Sequence, residues 1–313
     1  MRWWPNYTAG RRRSAVIAKP GHVSQIDGER TRGLPRMAMS MFSSSYDGTG
    51  RKVHWQEFWR HELETMQSKG PVVIVPVGSI EQHGPHCPTD VDISIPFHLA
   101  VATAFAIEEF PVIVAPPVWS GFTHYNLGHV GTINLRLETF LALVGDVCRS
   151  LKANGFERII LLTGHGGNVA PLRSLSVALA EEDVWALSFS HWELIQNELK
   201  QWSETDKEVG IGHAGEWETS LQMHLRPALI SRPHIVRNDW PRPDGFGPDF
   251  AHFALWPERR REAPLGIMGD PVVASAEKGR RVFTLAVERL VGLSREYHDQ
   301  PVRKYRQFGS HCP

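Results

Sequence analysis

The chain has 313 residues, 42% of them hydrophobic, which is enough for one large domain or two small ones around a substantial core. Lysine plus arginine and aspartate plus glutamate balance at 34 each, which excludes a global field able to hold nucleic acid or an anionic membrane. The three cysteines, Cys87, Cys148 and Cys312, form no C-x-x-C, so no disulfide framework or thiolate zinc site is indicated and a reducing, cytoplasmic setting is the default.

Residues 1–36 hold eight bases and two acids, leaving 26 bases against 32 acids in a mildly acidic body suited to a cation-binding centre. No apolar run approaches the roughly 20 residues that cross a bilayer, and the arginines 11–13 have no hydrophobic segment after them, so neither a membrane span nor a secretory signal is expected. Residues 1–50 are rich in Arg, Ser and Gly without periodicity and read as a disordered or mis-started extension, with Met37, Met39 and Met41 as alternative starts. Residues 51–313 read as a single domain.

From Val53 the residues Trp55, Phe58, Trp59, Leu63 and Met66 recur at helical spacing up to Gly70. Apolar, β-branched runs at 72–77, 112–115, 158–163 and 184–189 predict strands, and the stretches 96–109, 137–154 and 169–182 between them predict helices. Pro96 marks the start of the first of these helices. Strands apolar on both faces and alternating with helices imply an α/β fold with a mainly parallel sheet covered on both sides. Residues 227–274, rich in Pro, Arg and Gly, read as a long irregular excursion before a closing helix at 276–297.

Ligands of open α/β sheets bind beyond the carboxyl ends of the strands, and there the chemistry-bearing residues follow. The first strand runs into Gly78-Ser-Ile-Glu81-Gln-His83-Gly-Pro-His86-Cys-Pro-Thr-Asp90-Val-Asp92, five metal-capable side chains within twelve residues. Glu81 and His83, two apart in extended backbone, project to one side, and Asp92 returns to the same region. Carboxylates with imidazole suit Zn²⁺, Mn²⁺ or Fe²⁺ better than soft thiolate sites do. The third strand ends in Thr163-Gly-His165-Gly-Gly-Asn168, where glycines allow close backbone approach beside an imidazole. A third cluster, Gly212-His213-Ala-Gly-Glu216-Trp-Glu218-Thr-Ser220, stands at a helix start. If His213 precedes the helix it faces inward independently of both glutamates, whereas a helical His213 shares a face with Glu216 and not with Glu218.

These three segments, in this order, resemble the creatininase (creatinine amidohydrolase) family, and Phe122–Leu135, with His124 and Gly131-Thr-Ile, is similar to that family's intermediate segment. The resemblance implies a three-layer α/β/α fold and a binuclear centre of two divalent ions, zinc first, manganese or iron as alternatives. It further implies that Glu81 and His83 each bind one metal, Asp92 bridges, and His165 completes one site. The family's creatinine-cleaving member carries a glutamate ligand where this chain has Gly167, and Glu218 is the expected replacement. His213 or Glu216 is then the candidate proton carrier, His86 an outer contact of the metals, Cys87 a packing residue, and Trp119, Phe122, His124, Trp192 and Trp217 candidate pocket walls. The implied reaction is water attack on a cyclic amide or other non-peptide C–N bond of a small molecule, with ring opening of an oxidised cyclitol or a non-catalytic, metal-stabilised scaffold as alternatives. A homo-oligomer such as a hexamer also follows from the resemblance.

Overall fold

The structure is a computed structural model that describes residues 51–205, 212–238, 263 and 265–302. The extension expected over residues 1–50 and the middle of the 227–274 excursion lie outside the described residues.

Strands β1 (Val72–Val77), β2 (Val112–Val114), β3 (Arg158–Thr163) and β4 (Ala186–Ser190) form a parallel sheet in the order β2-β1-β3-β4. Side chains alternate across a strand, so each strand feeds two cores. Val72 and Ile74 of β1, with Ile160 and Leu162 of β3, pack on one face against α2 (Val91–Ala106), α5 (Gln196–Trp202), α6 (Glu216–Leu225) and α7 (Ala276–Asp299). Val73, Val75, Ile159 and Leu161 face α3 (Leu137–Ala153) and α4 (Val169–Ala180) on the other, with Leu63 and Met66 of α1 (Arg60–Gln67) at the margin. The result is the expected three-layer α/β/α arrangement. Each fully buried aliphatic side chain in these cores contributes about 1.5–3 kcal/mol.

The chain leaves β1 for α2 on one face and leaves β2 for α3 on the other before returning on the far side of β1 as β3. Connections that diverge in this way open a crevice at the carboxyl ends of β1 and β3.

Several boundaries differ from the sequence expectation for identifiable reasons. The first helix begins only at Arg60, after a single 3₁₀ turn at Trp55–Glu57, because Trp59 is extended and its N–H donates to the Glu62 carboxylate at 2.8 Å. Helix α2 begins at Val91, so Pro96 lies inside it rather than at its start. Having no N–H, Pro96 leaves the Asp92 carbonyl without its usual helical donor. That carbonyl lies over Gly164, where any Cβ would collide with it. The short helix α5 was not anticipated, and the described parts of 227–274 hold 3₁₀ turns and one isolated bridge at Met268.

Candidate metal centre

Six buried side chains meet at the crevice. Glu81 and His83 come from the segment after β1, Asp92 from the first turn of α2, His165 from the end of β3, and Glu218 from the first turn of α6. His213 stands ahead of α6, where its backbone bridges to Met268, so it faces inward independently of the glutamates.

The six fall into three groups of converging donor atoms: Glu81, Asp92 and His165; His83, Asp92 and Glu218; and Glu81, His83 and His213. Asp92 belongs to two of them. Its Oδ1 lies 3.3 Å from His83 Nε2 and its Oδ2 lies 3.1 Å from His165 Nδ1. Glu81 reaches His165 Nδ1 at 3.3 Å with one oxygen and His213 Nδ1 at 3.4 Å with the other. Glu218 Oε2 stands 3.6 Å from His83 Nε2 and accepts the Ala214 N–H at 2.5 Å. Ala214 adopts a left-handed conformation (φ 52°), a strained geometry for a residue with a Cβ that turns its N–H toward this carboxylate.

Backbone carbonyls orient the imidazoles. His83 Nδ1 donates to the Glu81 carbonyl at 3.1 Å, and His165 Nε2 donates toward the Phe122 carbonyl at 3.2 Å. A carbonyl only accepts, so in its neutral form each ring presents the lone pair of its opposite nitrogen to the cluster, as metal-ligating histidines do. His213 differs. Its Nε2 lies 2.8 Å from the Gln82 carbonyl, an acceptor, and 3.0 Å from the Gln82 side-chain amide nitrogen, a donor, so both tautomers have a partner. The Gln82 amide is itself held by Gly84 N–H and the Gly266 carbonyl.

The electrostatics draw positive charge inward. Burial opposes the charged form of His83, yet Asp92 and then Glu218 outweigh it and raise its pKa to about 9. His165 is likewise raised well above its ordinary value, Glu81 overcoming burial. Burial acts to raise Glu81, and His165 nonetheless lowers it to about 2; Asp92 falls below the carboxylate range against the same burial, driven first by His83. Three carboxylates facing imidazole lone pairs, with His83 Nε2 and Asp92 Oδ2 making no hydrogen bond, form a donor set that fits divalent cations.

A supporting layer went unnoticed in the sequence. Thr123 donates its hydroxyl to Glu81 and accepts from Asn126 Nδ2 at 2.9 Å, a relay that fixes the carboxylate. Asn168 ties three loops by donating to the Gly78 carbonyl at 3.0 Å and accepting the Phe122 N–H at 3.1 Å. These residues sit within segments already singled out, but isolated Thr and Asn have no spacing that marks them. Among the expected residues, Glu81, His83, Asp92, His165, Glu218 and His213 converge. Glu216 does not. Its carboxylate turns away to Lys278 Nζ at 2.6 Å and accepts from the Glu204 and Thr205 backbone, which corrects its candidacy as a proton carrier. Trp192 and Trp217 are core residues rather than pocket walls, whereas Trp119 is half exposed. His86 bonds Thr219 at 2.9 Å, and the Cys87 thiol is pushed up to about 12 by burial, which leaves it a packing residue. His124 lies outside the cluster, its ring tilted 30° to that of Phe122 with centroids 4.8 Å apart.

A buried carboxylate–imidazole cluster at the carboxyl edge of a parallel sheet covered on both faces marks an α/β protein of the metal-binding class. Residues 56–294 match the family described as creatininase, creatinine amidohydrolase, and the chain belongs to that family. It is 30% identical over 237 residues to a mycofactocin precursor peptide peptidase of Mycobacterium ulcerans, covering 72% of this chain and 85% of the relative. It is 26% identical to a 3-dehydro-scyllo-inosose hydrolase of Thermotoga maritima (78% and 83% covered) and 26% identical to the creatinine amidohydrolase of Pseudomonas putida (76% and 94%). A solved manganese creatininase superposes with a TM-score of 0.67 at 25% identity, covering 80% of this chain and 100% of that one, and a Zn–Zn form of a mutant creatininase does so at 0.66 with the same identity and coverage. The protein is thus a hydrolase. No helix among its described residues is long and apolar enough to cross a membrane.

Proposed function

We propose that the protein hydrolyses an amide C–N bond of a small molecule at a two-metal centre, with Glu81, Asp92 and His165 holding one divalent ion and His83, Asp92 and Glu218 the other. The observation that carries this reading is the division of Asp92 between two three-residue groups whose histidines present inward lone pairs. Zinc is the first choice for both ions, with manganese or iron as alternatives, and solved relatives in manganese and zinc forms support the first two of these metals. When bound, the pair supplies Lewis acidity and lowers the pKa of a water enough to provide hydroxide near neutral pH.

The chain's own residues do the rest. Thr123 and Asn126 keep Glu81 fixed, and the Ala214 N–H keeps Glu218 turned inward. His213 takes up on Nδ1, the nitrogen that faces Glu81, the proton that the attacking water gives up and passes it to the departing nitrogen, while the Gln82 carbonyl holds the hydrogen on Nε2. Trp119, Phe122 and His124 form part of the rim that receives the substrate.

The substrate class is drawn from relatives that differ, a precursor peptide peptidase, a creatinine amidohydrolase and an inosose hydrolase, so the shared site fixes chemistry better than substrate. A homo-oligomer, such as a hexamer, and a cytoplasmic setting complete the proposal, the latter supported by the free thiols of Cys87 and Cys148. The test is elemental analysis of the purified protein beside a hydrolysis screen of cyclic amides, formamides, short peptides and oxidised cyclitols. Close to two metals per chain with turnover of an amide supports the reading. Turnover of the cyclitol alone moves it to C–C hydrolysis, and two metals without turnover anywhere in the panel moves it to a scaffold.

A further inference from the structure

We infer that Tyr125 is a positioning residue for His165, and that position 167 is glycine because the Tyr125 phenol occupies the space a side chain there would need. The inference rests on the two-metal reading above. Tyr125 is buried, in the 3₁₀ turn His124–Asn126. Its hydroxyl lies 2.9 Å from His165 Nε2, and the two rings stack with centroids 5.8 Å apart at 26°. The Phe122 carbonyl approaches the same nitrogen. That carbonyl requires the proton on Nε2, and the phenol oxygen shares it as a second acceptor.

The two partners act on different coordinates. The carbonyl sets the tautomer, and the phenol, through its stack and its oxygen, sets the rotation of the ring. Together they keep Nδ1 aimed between Glu81 and Asp92. Outer contacts of this kind tune a ligand's basicity and orientation.

Gly167 completes the device. A Cβ there would lie closer than 3.0 Å to the Tyr125 hydroxyl, to His165 Nε2 and to the Phe122 carbonyl. All three are parts of the His165 support, so any side chain at 167 dismantles it. The turn after β3 therefore contributes His165 and no second ligand, and the third donor beside His83 and Asp92 comes from Glu218 on α6.

The experiment titrates metal-free wild type and Tyr125→Phe with Zn²⁺ against a chromophoric chelator, with ¹⁵N-histidine NMR of the loaded proteins. Phenylalanine keeps the stack and removes the oxygen. The expected result is a loss of about 10–100-fold in affinity at one of two sites while the other is retained, with a disturbed His165 ¹⁵N pattern. Unchanged affinities at both sites, or an equal loss at both, overturns the inference. Should Tyr125→Phe not fold, Tyr125→Met, which fills much of the same space without an oxygen, carries the same expectation of loss at one site. A wild type that binds fewer than two ions sinks the metal-centre reading itself, and this inference with it.

Discussion

Asp92 faces His165 across 3.1 Å with one carboxylate oxygen while its other oxygen stands 3.3 Å from His83. Glu81 too belongs to two of the three donor groups, but among the described residues Asp92 is the one carboxylate common to the group with His165 and the group with Glu218. Replacing it with asparagine, which is isosteric and neutral, is expected to take elemental metal content from close to two ions per chain to below one. Turnover should fall by more than about 100-fold, beyond the range typical of outer contacts. Full metal content in Asp92→Asn would show that it does not bridge.

Glu218 touches only one of those two groups. Glu218→Gln should leave close to one ion per chain, with Glu81 and His165 still occupied, and turnover reduced by a factor comparable to that of Asp92→Asn. Mass spectrometry of the native protein distinguishes one ion from two directly.

Glu216, two residues earlier on the same helix, should behave differently. It is buried and paired with Lys278, whose side chain is 20% exposed, so removing the lysine is expected to cost about 1–3 kcal/mol, less than breaking a fully buried pair. Lys278→Met should lower the thermal midpoint by several degrees while the folded protein keeps its metal content and its kcat within about twofold. A loss of metal at unchanged stability would return Glu216 to the site.

The raised pKa of His83 gives the metal-free protein a pH signature. Its folded value of about 9 exceeds the ordinary 6.5, so its contribution to stability is complete below pH 6.5 and is lost as pH rises through 9. Metal binding has the opposite dependence, since the ligand nitrogen must be deprotonated. Thermal unfolding in chelator should therefore show falling midpoints from pH 6.5 to 9. With excess Zn²⁺ the gap between loaded and metal-free midpoints should widen over the same interval. Parallel curves would show that His83 is not a ligand.

Much of this was legible before any coordinates. The strands at 72–77 and 158–163 were marked by apolar runs buried on both faces, and Glu81, His83, Asp92 and His165 by their places just after those runs. The second-half residues were harder to read. Glu216 and Glu218 lie about 200° apart around a helix, and which of them turns inward is set by the Lys278 contact from α7, a tertiary fact absent from the local string. Pro96 misled because proline favours a first turn but is tolerated where the carbonyl it strands finds room, here over Gly164. Trp192 and Trp217 looked like pocket walls because aromatic residues line both pockets and cores, and burial alone separates the two.

The six cluster residues come from four stretches of chain, the first at residue 81 and the last at 218. Ions held there act as a cross-link, joining the segment after β1, the head of α2, the end of β3 and the α6 region at one point. Closing such long intervals removes more freedom from the unfolded chain than from the folded one. The binding energy of the ions is thus drawn into the folding equilibrium. Glu218 and His213 reach the cluster from a stretch that makes no strand of the sheet, so ions held there would tie the α6 region to the sheet's carboxyl edge in addition to its packing in the core.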